Sequence, residues 1–258
     1  MKTLRVELHC HTIYSHDGHI GFDALLKAAR NRLDVICITD HDTVDGAREF
    51  KRRCAELNCD LQIMIGEERT LADGSHLIGL FLKEAISSVS FEEAVEEISE
   101  QGGICILPHP YRRKDGVLRG ESRSLQGISA FELFNPKCSF EENQRAAELA
   151  TCGLHAVGGS DAHYAGDLGE CVNVVPFIDS PVASVERFLR THVPYTVIGT
   201  PQGPSDQGRK YAPTYYRLKP YLQLPRPLIP VARVIYGVYR NNFSGRKPKR
   251  LETKYVYE

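Results

Sequence analysis

The 258-residue chain is 42% hydrophobic and 25% charged, with a formal net charge of −1; this is an ordinary globular composition, with room for one barrel or two small domains. No stretch approaches the ~18 apolar residues that span a bilayer, and the first twenty residues are strand-like and histidine-rich, without the order of a secretory leader. A membrane-spanning protein is thereby excluded and the cytoplasm expected, which eight cysteines with no Cys-x-x-Cys pair also fit, Cys10, Cys37, Cys105 and Cys171 lying in or beside apolar runs.

The first apolar run, Val6 to Leu8, ends in His9-Cys10-His11. Strand alternation puts both imidazoles on one side and Cys10 on the other, a clamp for a divalent transition metal within reach of Asp17 in the following loop. Phe22, Leu25, Leu26 and Ala29 then recur at helical spacing. A second strand, Ile36 to Thr39, ends in Asp40-His41-Asp42 and leads into a helix from about Val44 to Glu56. Strands over Leu61–Ile65 and Leu77–Leu82 flank Gly66-Glu67-Glu68 and His76, and Asp73-Gly74 between them is a hairpin signal. Ser90-Phe91-Glu92-Glu93 has the form of a capping box opening a helix through Ile98, which Gly102-Gly103 closes. Ile104 to Leu107 ends in Pro108-His109-Pro110, whose prolines restrict the backbone around the ring. The basic run that follows, Tyr111-Arg112-Arg113-Lys114, suits a phosphate bound through Arg112 and Arg113. A sixth strand covers Ala130 to Asn135, a second capping box is Ser139-Phe140-Glu141-Glu142, and the strand at Ala156 to Gly158 delivers Asp161 and His163. Histidines and acids thus recur just after buried strands, where a barrel of parallel strands builds its active site.

The series His9-x-His11, Asp17-Gly18, Thr39-Asp40-His41-Asp42, Gly66-Glu67-Glu68, His76, Pro108-His109-Pro110 and Gly159-Ser160-Asp161-Ala162-His163 resembles the PHP (polymerase and histidinol phosphatase) superfamily over about residues 1–200. The resemblance implies an α/β fold, a distorted (β/α)7 barrel, with a metal-dependent phosphoesterase site at the C-terminal mouth of its strands. It implies two or three divalent ions (Mn²⁺, Zn²⁺ or Fe²⁺) held by His9, His11, Asp17, His41, Glu68, His76, His109, Asp161 and His163. Glu68 would bridge ions, Glu67 facing the other side of the strand. Asp161 would share an ion with His9 and His11, and His163 another with Asp17 and His41. Asp40 or Asp42 is expected to hold a ring nitrogen from behind, and Glu132 and Asn135, in a Glu-x-x-Asn segment, to organise the site without ligating. His109, Asp161 and Glu68 are the expected catalytic residues, His109 or a nearby Asp protonating the leaving group. The loop from Ser15 to Gly18 is one residue longer than the family's Ser-Asp-Gly, so His16 is the alternative to Asp17. His16 is otherwise taken as structural, with His19, His155 and His192.

Residues 201–258 form a second region, a basic Tyr- and Pro-rich extension with twelve Lys or Arg against three acids, a balance of +9 that leaves −10 for residues 1–200. Lys219, Arg226, Arg233, Arg240 and Lys247 recur every seven residues, but the prolines at 220, 225, 227 and 230 confine any helix to about Val231–Phe243. Such a segment suits an RNA or DNA strand or an anionic membrane surface, or a strap over the acidic barrel. The expected activity is hydrolysis of a nucleotide or small phosphorylated metabolite by a metal-activated water. The alternatives are a 5′-to-3′ exonuclease on short RNA or DNA, and a non-catalytic PHP domain that binds a partner or lipid. No Gly-x-x-x-x-Gly-Lys-Ser/Thr loop supports ATP-driven chemistry.

Overall fold

The computed structural model describes residues 2–120, 123–191, 195–199 and 253–257. The expected helices and strands form in alternation: β1 (Thr3–Cys10), α1 (Phe22–Ala29), β2 (Val35–Ile38), α2 (Asp45–Glu56), β3 (Gln62–Thr70), β4 (His76–Leu80), α3 (Phe91–Glu100), β5 (Ile104–Leu107), β6 (Ala130–Phe134), α4 (Phe140–Glu148) and β7 (His155–Gly158). A short 3-10 helix (Leu149–Cys152) links α4 to β7, and three further strands, β8 (Cys171–Pro176), β9 (Tyr195–Gly199) and β10 (Thr253–Tyr257), with one helix, α5 (Pro181–Arg190), complete the described elements. His192, the basic stripe and the helix expected over Val231–Phe243 lie outside the described residues.

The strands form one sheet in the order β10-β9-β8-β1-β2-β3-β4-β5-β6-β7. It curls into a nearly closed barrel because the chain beyond β7 returns to β1: His11 N–H donates to Ala162 O at 2.8 Å and Ala162 N–H to His9 O at 3.3 Å. The side chain of Asn173 on β8 spans the same seam, exchanging hydrogen bonds with Gly158 N–H (2.9 Å) and Gly158 O (2.8 Å). The distortion comes from β4. Asp73-Gly74 turns the chain into a hairpin, so β4 runs antiparallel to β3 and β5 with no helix between β3 and β4. Reversal puts the first residue of β4, His76, at the end of the barrel where the parallel strands finish.

Residues from all of β1 to β8 fill the interior, among them Val6, Leu8, Val35, Met64, Ile78, Ile106 and Val157; full burial of each large aliphatic stabilises by about 1.5–3 kcal/mol. From α5, Val185, Phe188 and Leu189 join this cluster beside the strand starts Leu4, Val35, Ile104 and Ala130, filling the end opposite the mouth. The outer faces bury against helices, α3 and the 3-10 turn at Leu149 on β4 to β7 and α1 and α2 on β1 to β3.

One capping box forms and the other does not. Ser139 Oγ accepts from Glu142 N–H at 3.1 Å and Glu142 Oε2 accepts from Ser139 N–H at 2.7 Å. Ser90 makes no side-chain cap, and the Glu93 carboxylate that would close the box instead accepts from the Ser88 hydroxyl at 2.6 Å.

Candidate metal centre

The mouth begins with an irregularity in β1. Val6 and Glu7 pair with Val35 and Ile36, but Cys10 pairs with Ile38, so one extra residue is accommodated between Glu7 and Cys10. Such a bulge re-aims side chains: Leu8 stays in the interior cluster, Cys10 turns out to Ile36 and Ile38, and His9 and His11 face each other with Nε2 atoms 3.1 Å apart.

Glu68 on β3 is the hub. Its Oε2 lies 3.1 Å from His11 Nε2, 3.3 Å from His9 Nε2 and 3.5 Å from His41 Nε2. Its Oε1 lies 3.0 Å from both His76 Nδ1 and His109 Nε2. Its neighbour Glu67 points to the other face, as expected, where its Oε2 accepts from Ile86 N–H at 2.9 Å and its buried Oε1 has no partner among the described residues. Beyond β7, Asp161 Oδ1 stands 3.3 Å from His11 Nε2 and 3.6 Å from His9 Nε2. His163 Nε2 meets Asp17 Oδ2 at 2.8 Å, and His41 Nε2 is 3.6 Å from the same oxygen. Ser15 fixes this corner, donating its hydroxyl to Asp17 Oδ1 at 2.9 Å and accepting from His41 N–H at 3.2 Å. Asp17, not His16, therefore enters the cluster; His16 is exposed, with its ring 5.0 Å from that of His41.

Four sets of donors converge, each within 4.8 Å: His9, His11, Glu68 and Asp161; His11, Asp17, His41 and His163; His41, Glu68 and His76; and His76, His109 and Asp115. All nine residues expected from the sequence are brought together. Asp115 is an addition, set by the turn that carries Arg112 and 3.5 Å from His109 Nδ1.

The surroundings of the donors call for positive charge, a proton or a cation, among them. Glu132 Oε1 lies 2.7 Å from His9 Nδ1, which puts the ring proton there and leaves the Nε2 lone pair aimed at His11 and Glu68. Glu132 also accepts from His109 N–H (2.8 Å) and Asn135 Nδ2 (2.9 Å), so it and Asn135 organise the site from behind. Convergent lone pairs and carboxylate oxygens repel unless a proton or a cation lies among them. Burial alone would raise the Glu68 carboxyl, but His9, His76 and His41, with the hydrogen bond to His109, hold it well below the ordinary range. Asp161 follows the same pattern, burial being outweighed by Lys137, His9, Arg112 and His11. His9 is buried yet raised, by Glu132, Glu68 and Asp161, so a proton takes its Nε2 until a cation replaces it there. His163 is pushed down to about 4 by burial, Lys137 and His11, which leaves it neutral and able to ligate. His109 (φ 30°) and Asp161 (φ 49°) adopt left-handed backbone, a strain that clusters at functional sites.

Several expectations are corrected. Neither Asp40 nor Asp42 holds a ring nitrogen: Asp40 accepts from Thr12 N–H (2.5 Å) and Oγ1–H (2.7 Å), pinning the loop after β1, and Asp42 accepts from Thr70 N–H and Arg69. Arg112 enters the cluster, its Nη1 2.6 Å from Asp161 Oδ2 and its Nη2 3.0 Å from His109 Nε2. Arg113, the next residue on the turn, is exposed, and its backbone N–H donates to Glu142. Burial and Arg112 hold the His109 ring below the usual imidazole range. Lys137, which no sequence signal singled out, reaches Asp161 and His163. Its one trace in the sequence is its position two residues after the Glu-x-x-Asn segment. His19 stacks on Tyr164 and His155 packs against Phe188 and Tyr195, both apart from the cluster.

With this geometry the comparisons agree. The PHP domain matches residues 7–126 and the PHP-associated region residues 140–191. An uncharacterized protein of Methanocaldococcus jannaschii is 38% identical over 146 residues, which cover 51% of this chain and 84% of that relative. The chain belongs to the PHP family. Among solved structures it is similar to a two-domain protein of Bacteroides vulgatus containing a predicted PHP-like metal-dependent phosphoesterase (18% identity, TM-score 0.60, 76% of this chain and 64% of that one). It is also similar to the lesion-specific endonuclease of Pyrococcus furiosus (13% identity, TM-score 0.60, 76% of this chain and 58% of that one). The matched part spans less than two thirds of either solved protein, and at these identities the likeness is one of fold. The PHP barrel thus accounts for the curled sheet, and the His, Asp and Glu clusters at its mouth are ones that could bind metals.

Proposed function

We propose that this PHP protein is a metal-dependent phosphoesterase that hydrolyses a phosphate ester of a nucleotide or another small phosphorylated metabolite. The observation that supports this most strongly is Glu68, a buried carboxylate with imidazole nitrogens of His9, His11 and His41 around one oxygen and of His76 and His109 around the other. A carboxylate so surrounded suits a bridge between two divalent cations, whose mutual repulsion it offsets. The proposed ligands are His9, His11, Asp17, His41, Glu68, His76, His109, Asp161 and His163, with Asp115 added beside His76 and His109. Mixed imidazole and carboxylate donors fit Mn²⁺, Zn²⁺ or Fe²⁺.

Two or three such ions supply the Lewis acidity and the acidification of water that phosphoester hydrolysis needs. The chain's own groups orient and neutralise. Glu132 keeps the His9 proton on Nδ1, and Arg112, held by Asp115 and Asp161, offers a guanidinium to a phosphoryl oxygen at the mouth. The proposed division is a barrel over residues 1–200 and an extension over 201–258, whose Thr253–Tyr257 adds β10 to the edge of the sheet beside β9, and the free thiols fit a reducing compartment such as the cytoplasm. No helix among the described residues is long and apolar enough to cross a membrane.

A nucleic-acid substrate is the second reading, favoured by the +9 balance of residues 201–258. One experiment separates the readings: elemental analysis of the purified protein, with phosphate release from nucleoside mono- and bisphosphates and cleavage of short oligonucleotides in Mn²⁺. Release from the small substrates that is lost in Asp161→Ala and His9→Ala is expected. Cleavage confined to oligonucleotides would move the reading to a nuclease, and no stoichiometric metal would overturn the enzymatic reading altogether.

A further inference from the structure

Lys137 lies between the two matched segments of the family, so neither match assigns it a role. Its location is built, not incidental. The Lys137 N–H donates to Asn135 Oδ1 at 2.9 Å, and Asn135 is tied to Glu132, the residue that orients His9, and to Asn143 on α4. The side chain, only 12% exposed, runs from this turn into the metal cluster, where Nζ contacts His163 Nδ1 and lies 3.6 Å from Asp161 Oδ1. Among the described residues Asp161 is its one carboxylate partner, and Arg112 already occupies the other oxygen of Asp161 at 2.6 Å.

Both partners of Lys137 are ones a metal ion would claim. Asp161 Oδ1 is the oxygen that faces His9 and His11. An ion on His163 Nε2, the nitrogen beside Asp17, would require the ring proton on Nδ1, where Asp161 O accepts it at 2.9 Å, so Nδ1 would no longer accept from Lys137. A loaded site would therefore leave a buried ammonium beside cations with no anion of its own, an arrangement that costs free energy until an anion arrives.

We propose that Lys137 is a substrate-binding residue whose ammonium takes a phosphoryl oxygen and which, until that oxygen arrives, opposes the ion at Asp161. The inference rests on the phosphoesterase reading and adds to it a coupling: phosphate and metal bind cooperatively through this side chain.

The test is Mn²⁺ titration calorimetry on the full chain with and without inorganic phosphate, for the wild type, Lys137→Met, which keeps the bulk without the charge, and Lys137→Arg, which keeps the charge. In the wild type phosphate should tighten Mn²⁺ binding by about tenfold, the scale of one close charge pair in a partly screened site. In Lys137→Met, Mn²⁺ alone should bind several-fold more tightly than in the wild type, and phosphate should tighten it several-fold less than in the wild type, leaving only the share of Arg112 and the ions; Lys137→Arg should retain the full coupling. Weaker or unchanged Mn²⁺ binding in Lys137→Met, or coupling as strong as in the wild type, would overturn the assignment while leaving the metal centre standing. A wild type that takes up none of Mn²⁺, Zn²⁺ and Fe²⁺ in the same titration would overturn both this inference and the phosphoesterase reading.

Discussion

The two ends of β7 carry the same residue type to opposite ends of the barrel. His155 opens the strand at the closed end, its ring 4.7 Å from those of both Phe188 and Tyr195, in surroundings whose function is packing. His163, past the other end, meets Asp17, Asp161 and Lys137. The difference is not in the histidines but in where parallel strands finish. Their C-terminal ends splay into loops that can carry charge, while their N-terminal ends are sealed by α5 with Val185, Phe188 and Leu189. A substitution at the mouth should therefore change metal affinity with little change in folding, and one at the closed end the reverse.

Gly159 gives the largest expected effect on the mouth. A Cβ there would lie 1.8 Å from Glu132 Oε1 and 2.9 Å from His9 Cβ, so Gly159→Ala must displace the carboxylate that holds His9 Nδ1. Loss of such an outer partner weakens metal binding by ~10–100-fold, and the added clash with His9 puts Gly159→Ala at the upper end. Mn²⁺ affinity by calorimetry is the readout, and affinity within threefold of the wild type would mean that Glu132 does not orient the ring. At the closed end, His155→Ala should cost about 2–3 kcal/mol of folding stability by emptying a packed aromatic site, with metal stoichiometry intact. Loss of metal without loss of stability would break the division between the two ends.

Much of this was legible in the sequence because the signals are local. Strand-terminal histidines, the Asp73-Gly74 hairpin, the helical spacing in α1 and the Ser139 capping box depend on neighbours in sequence, and all formed. What was missed depends on turns and on distant partners. Arg112 and Arg113 read alike in a basic run, but consecutive residues of a turn point apart, and only the fold selects Arg112 for the cluster. Asp115 and Lys137 are single charges in loops, with no periodicity to mark them, and they enter the site because the turns after β5 and β6 bend over the mouth. The Ser90 box did not form, and Glu93 accepts instead from the hydroxyl of Ser88, two residues upstream of Ser90.

The finest form of the comparison is within β3, between Glu67 and Glu68. Both are buried, but Glu68 faces imidazoles and is held well below the usual carboxyl range, whereas burial raises Glu67 to about 7, its bond from Ile86 N–H and the Arg69 charge offsetting little of this. For an acid whose pKa is raised on folding, the folded state binds more protons than the unfolded one between its ordinary value of 4.5 and about 7. Its contribution is thus present below pH 4.5 and is lost as pH rises toward 7. Glu67→Gln removes that titration while keeping an oxygen for Ile86 N–H. The variant should match the wild type near pH 4 and exceed it by on the order of 2 kcal/mol at pH 8, measured by urea denaturation of the metal-free protein at each pH. Glu7, raised to about 7 by its own burial, contributes a slope of the same sign, so the variant should lessen the pH dependence without abolishing it. Parallel pH profiles for the two proteins would mean that Glu67 keeps its charge in the fold, and that the two faces of β3 treat a carboxylate alike.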